Sequence, residues 1–230
     1  NCGCPVPKIL TTGASSALTR DPERLYEITK AVVDVLNEVS GEKEIPVTVK
    51  IRSGWDKLNM TWKEAADAAM RAGAKAITMH PRTRAAGYEG LSDWNILKEL
   101  VDFVDGRVPV FGSGDLFTPE KAKQMLEETG VDGVMFARGA MGNPFIFRDA
   151  TSLLQNGSYE PVPCEERIRT GFIELERLVN ETNEHHACLE MRKRFSAYSK
   201  GIHGGAELRA KIVHAATVED YRAIFNGLYK

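Results

Sequence analysis

Polar and charged side chains recur in this sequence at the ends of short apolar runs, where the active sites of α/β enzymes are built. The set comprises Lys50 and Arg52, His80 and Arg82, Ser113 and Asp115 with the small Gly114 between them, and Arg138 with the small Gly139. A lysine inside the otherwise apolar segment VTVKIR is costly to place without a partner, which favours a functional role for Lys50 over the alternative of a strand-end lysine that reaches solvent. The glycine-containing turns GSGD and ARGA precede predicted helices, which suits backbone amides and Arg138 for binding a phosphate.

The amino-terminal segment NCGCPVPK holds a second candidate, the thiol of Cys4. Pro5 and Pro7 fix the backbone that follows it, so Cys4 lies on a rigid bend. A cysteine taken alone is more often a small buried hydrophobic residue than a reactive group, and the residues alone leave that alternative open. Because the segment lacks an initiator methionine, we expect the natural protein to include sequence upstream of Asn1.

Composition argues against several classes of protein. The 230 residues carry a net charge of −2, so any nucleic acid must be bound by a local basic patch. We expect no contact with a membrane, because no apolar run approaches the roughly 20 residues of a spanning helix. The four cysteines are too scattered for a disulfide scaffold, which favours a cytoplasmic protein. Cys2 and Cys4 lie near the amino terminus, and His185, His186 and Cys188 lie in a predicted helix. These two groups lack the spacing of a zinc site, so we predict no metal.

Four β-branched runs alternate with predicted helices, which is typical of parallel strands joined by returning helices. The runs are IPVTVKIR (45–52), KAITMHPR (75–82), RVPVFGSGD (107–115) and VDGVMFARGA (131–140). The first helix is predicted to begin at Pro22 after a cap at Asp21, with an apolar stripe from Leu25 to Val39. Thr61 and Glu64 predict a capping box for the next helix, and Ser92 is predicted to open the one after it.

Alternating βα units leave two architectures, an open doubly wound sheet or a (β/α)8 barrel. The polar strand ends favour the barrel, because its parallel strands converge on one rim where the active site is built. Phosphate-binding turns after the last two strands are also common in barrels. Four strands make half of a closed barrel, so we predict an α/β fold that contains the carboxyl-terminal half of a TIM barrel.

A helical region is predicted to follow the βα repeats. The loop LLQNGSYEPVPCEE breaks the βα rhythm, and three segments with helical periodicity come after it. We therefore predict a partial barrel over 1–158 and a small all-α domain over 159–230. Arg192, Lys193 and Arg194 begin a basic stretch with interleaved aromatic residues, which suits RNA phosphates. A solvated helix face is the alternative for such a run of charges.

Several motifs together resemble those of the bacterial-type tRNA-dihydrouridine synthase family. NCGCPVPK is similar to the family signature N-x-G-C-P-x-x-K, and the similarity continues through VTVKIRSGW, ITMHPRTRAAGYEG, VPVFGSGD, DGVMFARGAMGNPFIF and EMRKRFSAYSKG. The motifs keep the family's order over nearly the whole chain. In that family the signature lies at the end of the fourth barrel strand, so the resemblance implies a chain truncated at its amino terminus and starting at the catalytic loop.

The resemblance implies that FMN reduces uridine to 5,6-dihydrouridine in tRNA, with NADPH as the reductant of the flavin. Hydride passes to C6, and by motif position Cys4 gives the proton to C5, which suits a thiol that is protonated at neutral pH. Lys50 corresponds to the family's lysine at the flavin ring, His80 to a histidine near the cofactor and Arg138 to the phosphate arginine. The implied cofactor site also includes Ser113, Gly114, Asp115 and Ala137.

The resemblance also implies a tRNA-binding surface, whereas no stable protein partner is expected. Its candidates are Lys8, Arg52, Arg82 and Arg84 on predicted rim loops, with Arg192, Lys193 and Arg194 in the helical domain. On the rim they would meet a flipped uridine or its neighbouring phosphates. Taken one at a time, each rim residue suits an ordinary surface charge equally well.

Two positions depart from the family pattern. Ser113 stands where the family commonly has asparagine, and Ala137 where it commonly has glycine. Serine has a shorter reach and one fewer donor, and alanine restricts the close backbone approach that glycine allows. Because the residues that the family draws from its first strands are also absent, we expect this chain alone to bind FMN weakly.

Two other functions stay open. Another FMN barrel oxidoreductase, similar to the dihydroorotate or dihydropyrimidine dehydrogenases, shares the lysine, the phosphate turns and an acid cysteine, but it gives the basic helices no role. A non-catalytic RNA-binding protein accounts for the altered flavin turns. No G-x-G-x-x-G motif follows a predicted strand, so a Rossmann site for NADPH is not predicted.

Overall fold

The computed structural model describes residues 1–41 and 43–226, which separate into two compact units, Asn1–Ala137 and a second that begins at Arg138. No helix in this described part is long and apolar enough to cross a membrane. The first unit contains, in order, α1 (Pro7–Leu10), a 3-10 helix (Ser15–Arg20), α2 (Pro22–Val39), β1 (Thr48–Arg52), α3 (Trp62–Arg71), β2 (Ala76–His80), α4 (Trp94–Val104), β3 (Val110–Ser113), α5 (Pro119–Thr129) and β4 (Gly133–Met135).

The four strands form one sheet in the order β1-β2-β3-β4, and every neighbouring pair is parallel. Arg52 lies opposite His80 at the carboxyl ends of β1 and β2, and Ser113 lies opposite Met135 at the ends of β3 and β4. The sheet confirms the predicted α/β fold with four parallel βα units. This is half of the number of strands in a closed (β/α)8 barrel.

The core of the first unit forms around β2, which is buried along its whole length. Its sequence AITMH is apolar on both faces, as expected for a strand covered on both sides of a parallel sheet. The core side chains that are at most 1% exposed include Ile51, Ile77, Met79, Leu97, Leu100 and Met125. Burial of each such side chain contributes about 1.5–3 kcal/mol, so this core fixes the positions of the strand ends.

Helix α2 begins as predicted, but its apolar stripe does not form a single buried face. The Asp21 carboxylate caps the helix by accepting a hydrogen bond from the Arg24 N–H at 3.1 Å. Leu25 is 1% exposed and packs in the core. By contrast, the side chains farther along the stripe are 45% to 70% exposed; they are Ile28, Val32, Val35 and Val39. The periodicity predicted the helix correctly, but it did not predict that most of the apolar stripe is exposed in the described part of the chain.

The capping box predicted at the start of α3 is wrong. Thr61 precedes the helix, but its side chain accepts no hydrogen bond from a helix N–H. Its hydroxyl donates instead to the carbonyl of Thr19, which joins α3 to the 3-10 helix. A tertiary contact has therefore replaced the local one, a competition that is common for threonine side chains. The start of α4 is also displaced by one residue, because Asp93 rather than Ser92 is its N-cap.

The second unit is helical, as predicted. It contains a 3-10 helix (Arg138–Ala140), α6 (Ile146–Asn156), α7 (Cys164–Glu181), α8 (Glu184–Tyr198), α9 (Gly205–Ile212) and α10 (Val218–Ile224). Its core gathers Phe195, Tyr221 and Phe225, with the rings of Phe195 and Tyr221 stacked at 4.7 Å between centroids. Residues 227–230 of the last predicted helix lie outside the described residues. The division into domains at 158 and 159 stays a prediction.

Candidate active site

Cys4 lies on a segment, here called the cysteine loop (residues 1–6), that two serines hold in place. The Cys4 N–H donates to Ser15 Oγ at 2.7 Å, and the Cys4 carbonyl accepts from Ser16 Oγ at 2.6 Å. Ser15 has a φ of 58°, a left-handed conformation that is costly for a residue other than glycine. The backbone of Cys4 is thus fixed on both sides, while its partly buried thiol forms no hydrogen bond within the described residues.

The cysteine loop is tied to the carboxyl end of β1. The Cys2 N–H donates to the Lys50 carbonyl at 2.7 Å, as a residue of a neighbouring strand would. Arg52, which is 2% exposed, donates from Nε to the Gly3 carbonyl at 2.7 Å. Its Nη1 donates to two carbonyls of the segment 83–87, at 2.9 and 3.0 Å. One buried guanidinium therefore joins the cysteine loop to the segment that follows β2.

Lys50 is a partly buried cation with no counter-charge among the residues that the structure describes. It lies in β1, two residues before the end of the strand. Burial is the main cause that lowers the pKa of its amine, and the nearby charge of Arg52 lowers it further. The structure describes no carboxylate or other acceptor paired with this amine. A desolvated ammonium without an anion is unfavourable, so an anionic ligand fits at this position.

His80 ends β2 as a neutral, buried imidazole. It is 8% exposed, and burial, followed by the charges of Arg52, Lys50 and Arg82, lowers its pKa to about 3. Arg82 Nη1 lies 3.2 Å from His80 Nε2. The same guanidinium binds the carboxylate of Asp115 through two hydrogen bonds, at 3.0 and 2.8 Å. Three side chains from two strand ends are thereby connected in one largely buried chain of contacts, in which Asp115 is the partly exposed member.

The turn after β3 packs directly against His80. Gly114 has a φ of 115°, a conformation that favours glycine. A Cβ at this position would clash with Ser92 Oγ and lie only 2.8 Å from His80 Cδ2. The next residue, Asp115, accepts a hydrogen bond from the Ser92 N–H at 2.8 Å. Ser113, at the end of the strand, is 4% exposed. The sequence GSGD therefore allows a close approach that a larger residue at its second glycine position would prevent.

The first unit brings most of its predicted site residues to the carboxyl edge of one sheet. They are Cys4 through its loop, Lys50, Arg52, His80, Arg82, Ser113, Gly114 and Asp115. Arg52 and Arg82 differ from the prediction in environment, since both are at most 4% exposed and bind groups of the protein itself. Their assignment to tRNA stays a prediction, and their contacts show that they position loops.

Other predicted residues lie away from these contacts. Lys8 is exposed on α1, and Arg84 packs on Trp55 with its Cζ 4.6 Å from the ring centroid. Ala137 is the exposed last residue of the first unit. Arg138 is the first residue of the second unit and is exposed at the start of a 3-10 helix. Its role at a cofactor phosphate stays a prediction.

The three basic residues predicted on α8 have different surroundings. Arg192 donates from Nε to a backbone carbonyl in the loop after α9, at 2.8 Å. Arg194 forms ion pairs with Glu174 at 2.5 Å and with Glu190 at 3.3 Å. Lys193 is exposed and has no ionic partner in the part of the chain that the structure describes. Of the three, Lys193 alone presents its charge without a contact to a described group.

The charges at the carboxyl edge of the sheet fit an anionic cofactor such as FMN. Lys50, Arg52 and Arg82 all lie close enough to lower the pKa of His80, whereas Asp115 is the acid that raises it. The edge therefore carries an excess of positive charge, and Lys50 is the cation left to hold an anionic group. The described residues contain no group of three or more His, Cys, Asp or Glu placed to bind a metal ion.

Two residues that fix the site were missed by the sequence analysis. Ser15 and Ser16 hold the backbone of Cys4, yet they lie 11 and 12 residues farther along the chain. The segment GASSALTR has the composition of a turn, which is a weak signal of local structure. Nothing in its spacing connects it to Cys4, because the contact forms only when the 3-10 helix folds back on the loop.

Comparison with known proteins places these features in a family. Over 226 residues the chain is 52% identical to the probable tRNA-dihydrouridine synthase of Treponema pallidum (strain Nichols), a match that covers 97% of this chain and 66% of that protein. It is 36% identical over 212 residues to tRNA-dihydrouridine synthase B of Pseudomonas putida, covering 92% of this chain and 60% of the relative. The chain thus spans about two thirds or less of these relatives. A family model described as dihydrouridine synthase (Dus) matches residues 1–226, so the chain belongs to the dihydrouridine synthase family.

Proposed function

We propose that the protein containing this chain reduces uridine to 5,6-dihydrouridine in tRNA, with FMN as its cofactor and NADPH as the reductant. The family is a TIM-barrel enzyme family, and the four βα units supply part of such a barrel. One observation carries the proposal, namely the hydrogen bond from the Cys2 N–H to the Lys50 carbonyl at 2.7 Å. It holds the loop of a candidate acid beside the strand with the unpaired cation.

The reaction adds one hydride and one proton across the C5–C6 double bond of uracil. FMN, when bound, supplies the hydride that adds to C6. Cys4 supplies the proton to C5 from its Sγ–H, and solvent later returns a proton to the sulfur. Because Ser15 and Ser16 fix the backbone of Cys4, the thiol keeps only its own side-chain rotation, which favours a reproducible approach to the base.

The other residues of this edge position the reactants. Lys50 provides the positive charge for an anionic part of the cofactor, which supports the role given to it by the resemblance. Neutral His80 provides a hydrogen bond rather than a charge, because its pKa lies near 3. In the proposed site Ser113, Gly114 and Asp115 form the turn beside the cofactor, and Ala137 and Arg138 contribute to its phosphate contact.

The second unit is proposed to contribute to tRNA binding, within a helical domain that spans 159–230. Its support is the exposed charge of Lys193, with no described partner, beside the ion-paired Arg194. Phosphate contacts made by such lysines add affinity without reading sequence. A tRNA substrate also places the proposed enzyme in the cytoplasm.

The experiment compares Cys4→Ala with Cys2→Ala in the full-length protein. Cys2 is the matched control, because it lies in the same loop but its side chain packs against the apolar core. The measurements are bound flavin after purification and NADPH-dependent dihydrouridine in a tRNA transcript. Loss of a general acid lowers the rate by about 10²–10⁴-fold. We expect that loss for Cys4→Ala and a change below about threefold for Cys2→Ala, with bound flavin retained in both.

Two results would contradict the proposal at different levels. If Cys4→Ala forms dihydrouridine at the full rate, Cys4 is not the acid, but the proposed reaction is not contradicted. If the wild-type protein retains no flavin and forms no dihydrouridine in any tRNA, the proposed function itself is wrong.

A further inference from the structure

Arg82 uses all of its hydrogen-bond donors within the first unit. A guanidinium has five N–H bonds in a rigid plane and no acceptor. The two Nη1 bonds point to Asp115 Oδ1 at 3.0 Å and to His80 Nε2 at 3.2 Å. The remaining three bonds reach Asp115 Oδ2 at 2.8 Å, the Gly90 carbonyl at 2.5 Å and, more weakly, the Glu89 carbonyl at 3.4 Å. The orientation of the guanidinium is therefore fixed from several sides.

This geometry determines which nitrogen of His80 carries the proton. An arginine N–H can only donate, so the imidazole nitrogen that faces it must accept through its lone pair. A proton on Nε2 would set two donors against each other at 3.2 Å. A ring turned by 180° would instead place a C–H against the guanidinium and leave a buried N–H of Arg82 without an acceptor, which is unfavourable.

We infer that Asp115 and Arg82 are positioning residues that hold His80 in the tautomer with the proton on Nδ1. Asp115 fixes Arg82, and Arg82 in turn occupies the lone pair of His80 Nε2. His80 then offers a single N–H donor, at Nδ1, to any ligand at the carboxyl edge of the sheet. No residue that the structure describes accepts a hydrogen bond from this donor.

Two further observations support the inference. A protonated His80 would add a fourth positive charge beside Lys50, Arg52 and Arg82, and the lowered pKa of the ring agrees with the exclusion of that form. Asp115 has a φ of 58°, which is unfavourable for a residue with a side chain, so its position is maintained by its contacts. These contacts include the two hydrogen bonds from Arg82 and one from the Ser92 N–H.

The tautomer has a chemical consequence for the ligand. A group that meets His80 Nδ1 must be an acceptor, such as a carbonyl oxygen of a planar heterocycle, and a second N–H at that place is rejected. The tautomer itself does not depend on the proposed function, whereas the identification of the acceptor with FMN or uracil does. Failure of the proposed reaction therefore leaves the tautomer testable.

The test is the nitrogen NMR spectrum of the histidines, recorded on the ¹⁵N-labelled protein without added cofactor at pH 7. Chemical shifts distinguish a protonated ring nitrogen from one with a free lone pair. The chain has five histidines, and His80→Asn identifies the signals of interest by their loss. We expect protonated Nδ1 and unprotonated Nε2 in the wild-type protein. Protonated Nε2, or a positively charged ring, would overturn the inference without any variant.

Arg82→Gln tests whether the arginine sets the tautomer. An amide can donate or accept, so both tautomers become accessible and we expect the Nδ1-protonated fraction to fall to a mixture. Arg84→Gln is the matched control, because Arg84 is on the same segment but packs on Trp55, and it should leave the His80 signals unchanged. If Arg82→Gln fails to fold, Asp115→Asn provides the second test, since asparagine tolerates a positive φ and removes the charge that fixes Arg82. If His80 stays fully protonated at Nδ1 in a folded Arg82→Gln or Asp115→Asn variant, as in the wild-type protein, the positioning role is contradicted.

Discussion

Two basic regions of this molecule each contain one lysine and two arginines, and they differ in their chemical environment. At the carboxyl edge of the sheet, Lys50, Arg52 and Arg82 are partly or fully buried. On α8, Arg192, Lys193 and Arg194 lie on a helix whose arginines are partly exposed. The pattern of partners is the same in the two regions, and the difference lies in how far the charges are buried. Two arginines in each region bind groups of the protein, and one lysine in each region has no partner among the described residues.

The unpaired lysines carry different information because their exposure differs. The exposed Lys193 is hydrated, so its lack of a partner costs little and indicates at most a contact with phosphate. Lys50 loses hydration on folding and gains no described carboxylate in return. An uncompensated cation of this kind is retained at a cost in stability, which is typical of functional sites. The buried region therefore supports a ligand site more strongly than the exposed one.

The largest expected effect comes from breaking the ion pair of the first region, in which Arg82 is buried and Asp115 is partly buried. Asp115→Asn removes the charge that Arg82 binds, while asparagine still tolerates the positive φ. Because Arg82 is then left buried without a carboxylate, we expect a loss of about 3 kcal/mol in the free energy of unfolding. The measurement is urea unfolding followed by circular dichroism.

Glu174→Gln is the matched control in the second region. It breaks the ion pair between Glu174 and Arg194, and the side chain of each is 32% exposed. Water compensates the freed charge there, so we expect a loss below about 1 kcal/mol. Equal losses in the two variants would show that the contrast between the regions is not one of burial.

A second effect is a dependence of stability on pH through His80. Its pKa is about 3 in the folded chain against an ordinary value of 6.5, so between these values the unfolded chain binds a proton that the folded chain does not. Stability from this group is present above about pH 6.5 and is lost as the pH falls. Between pH 7 and pH 5 the loss amounts to about 2 kcal/mol.

The variant His80→Gln isolates this contribution from the titration of carboxylates. We expect the unfolding free energy of the variant to change less between pH 7 and pH 5 than that of the wild-type protein. His186→Gln is the control, since His186 is exposed on α8. An identical pH dependence in the wild-type protein and His80→Gln would contradict the buried, neutral state of the ring.

The sequence predicted the strands and most residues at their ends, because those signals are local. Apolar β-branched runs specify buried parallel strands, and parallel strands bring their carboxyl ends to one edge. This reasoning placed Lys50 and His80 correctly on β1 and β2. It did not find the burial of Arg52, because the carbonyls that hold it belong to Gly3 and to a segment more than 30 residues away.

The wrong capping box has the same physical origin. Thr61 and Glu64 have the correct spacing for a box, but the Thr61 hydroxyl forms a tertiary hydrogen bond to the carbonyl of Thr19. The serines that hold Cys4 were missed for the same reason. Local propensity predicts elements, whereas the partners of polar side chains depend on which elements meet. The partners of an individual polar residue at the site therefore do not follow from its local sequence.

A third prediction concerns the unpaired cation itself. Lys50→Met removes a charge that is partly buried without a partner, so we expect the unfolding free energy to stay constant or rise by up to about 1 kcal/mol. The same change should weaken FMN binding by about 10-fold to 100-fold, since a hydrogen bond to a charged group contributes about 1.5–3 kcal/mol. Flavin titration of the full-length protein measures the second effect.

Lys98→Met, at an exposed position of α4, is the control and should change neither the unfolding free energy nor the affinity for FMN. Marked destabilisation by Lys50→Met would show that the amine has a structural role.

The smallest effect is expected on α8, where the comparison is between neighbouring residues. If Lys193 contacts a phosphate, Lys193→Met should reduce the slope of log affinity against log salt by about one unit, and weaken tRNA binding most at low salt. Arg194 already has Glu174 and Glu190 as partners, so Arg194→Met should change the slope less. Binding is measured by filter retention of labelled tRNA over a range of salt concentrations. A larger change of slope for Arg194→Met would mean that tRNA displaces the glutamates, so that paired charges on an exposed helix also serve as phosphate contacts.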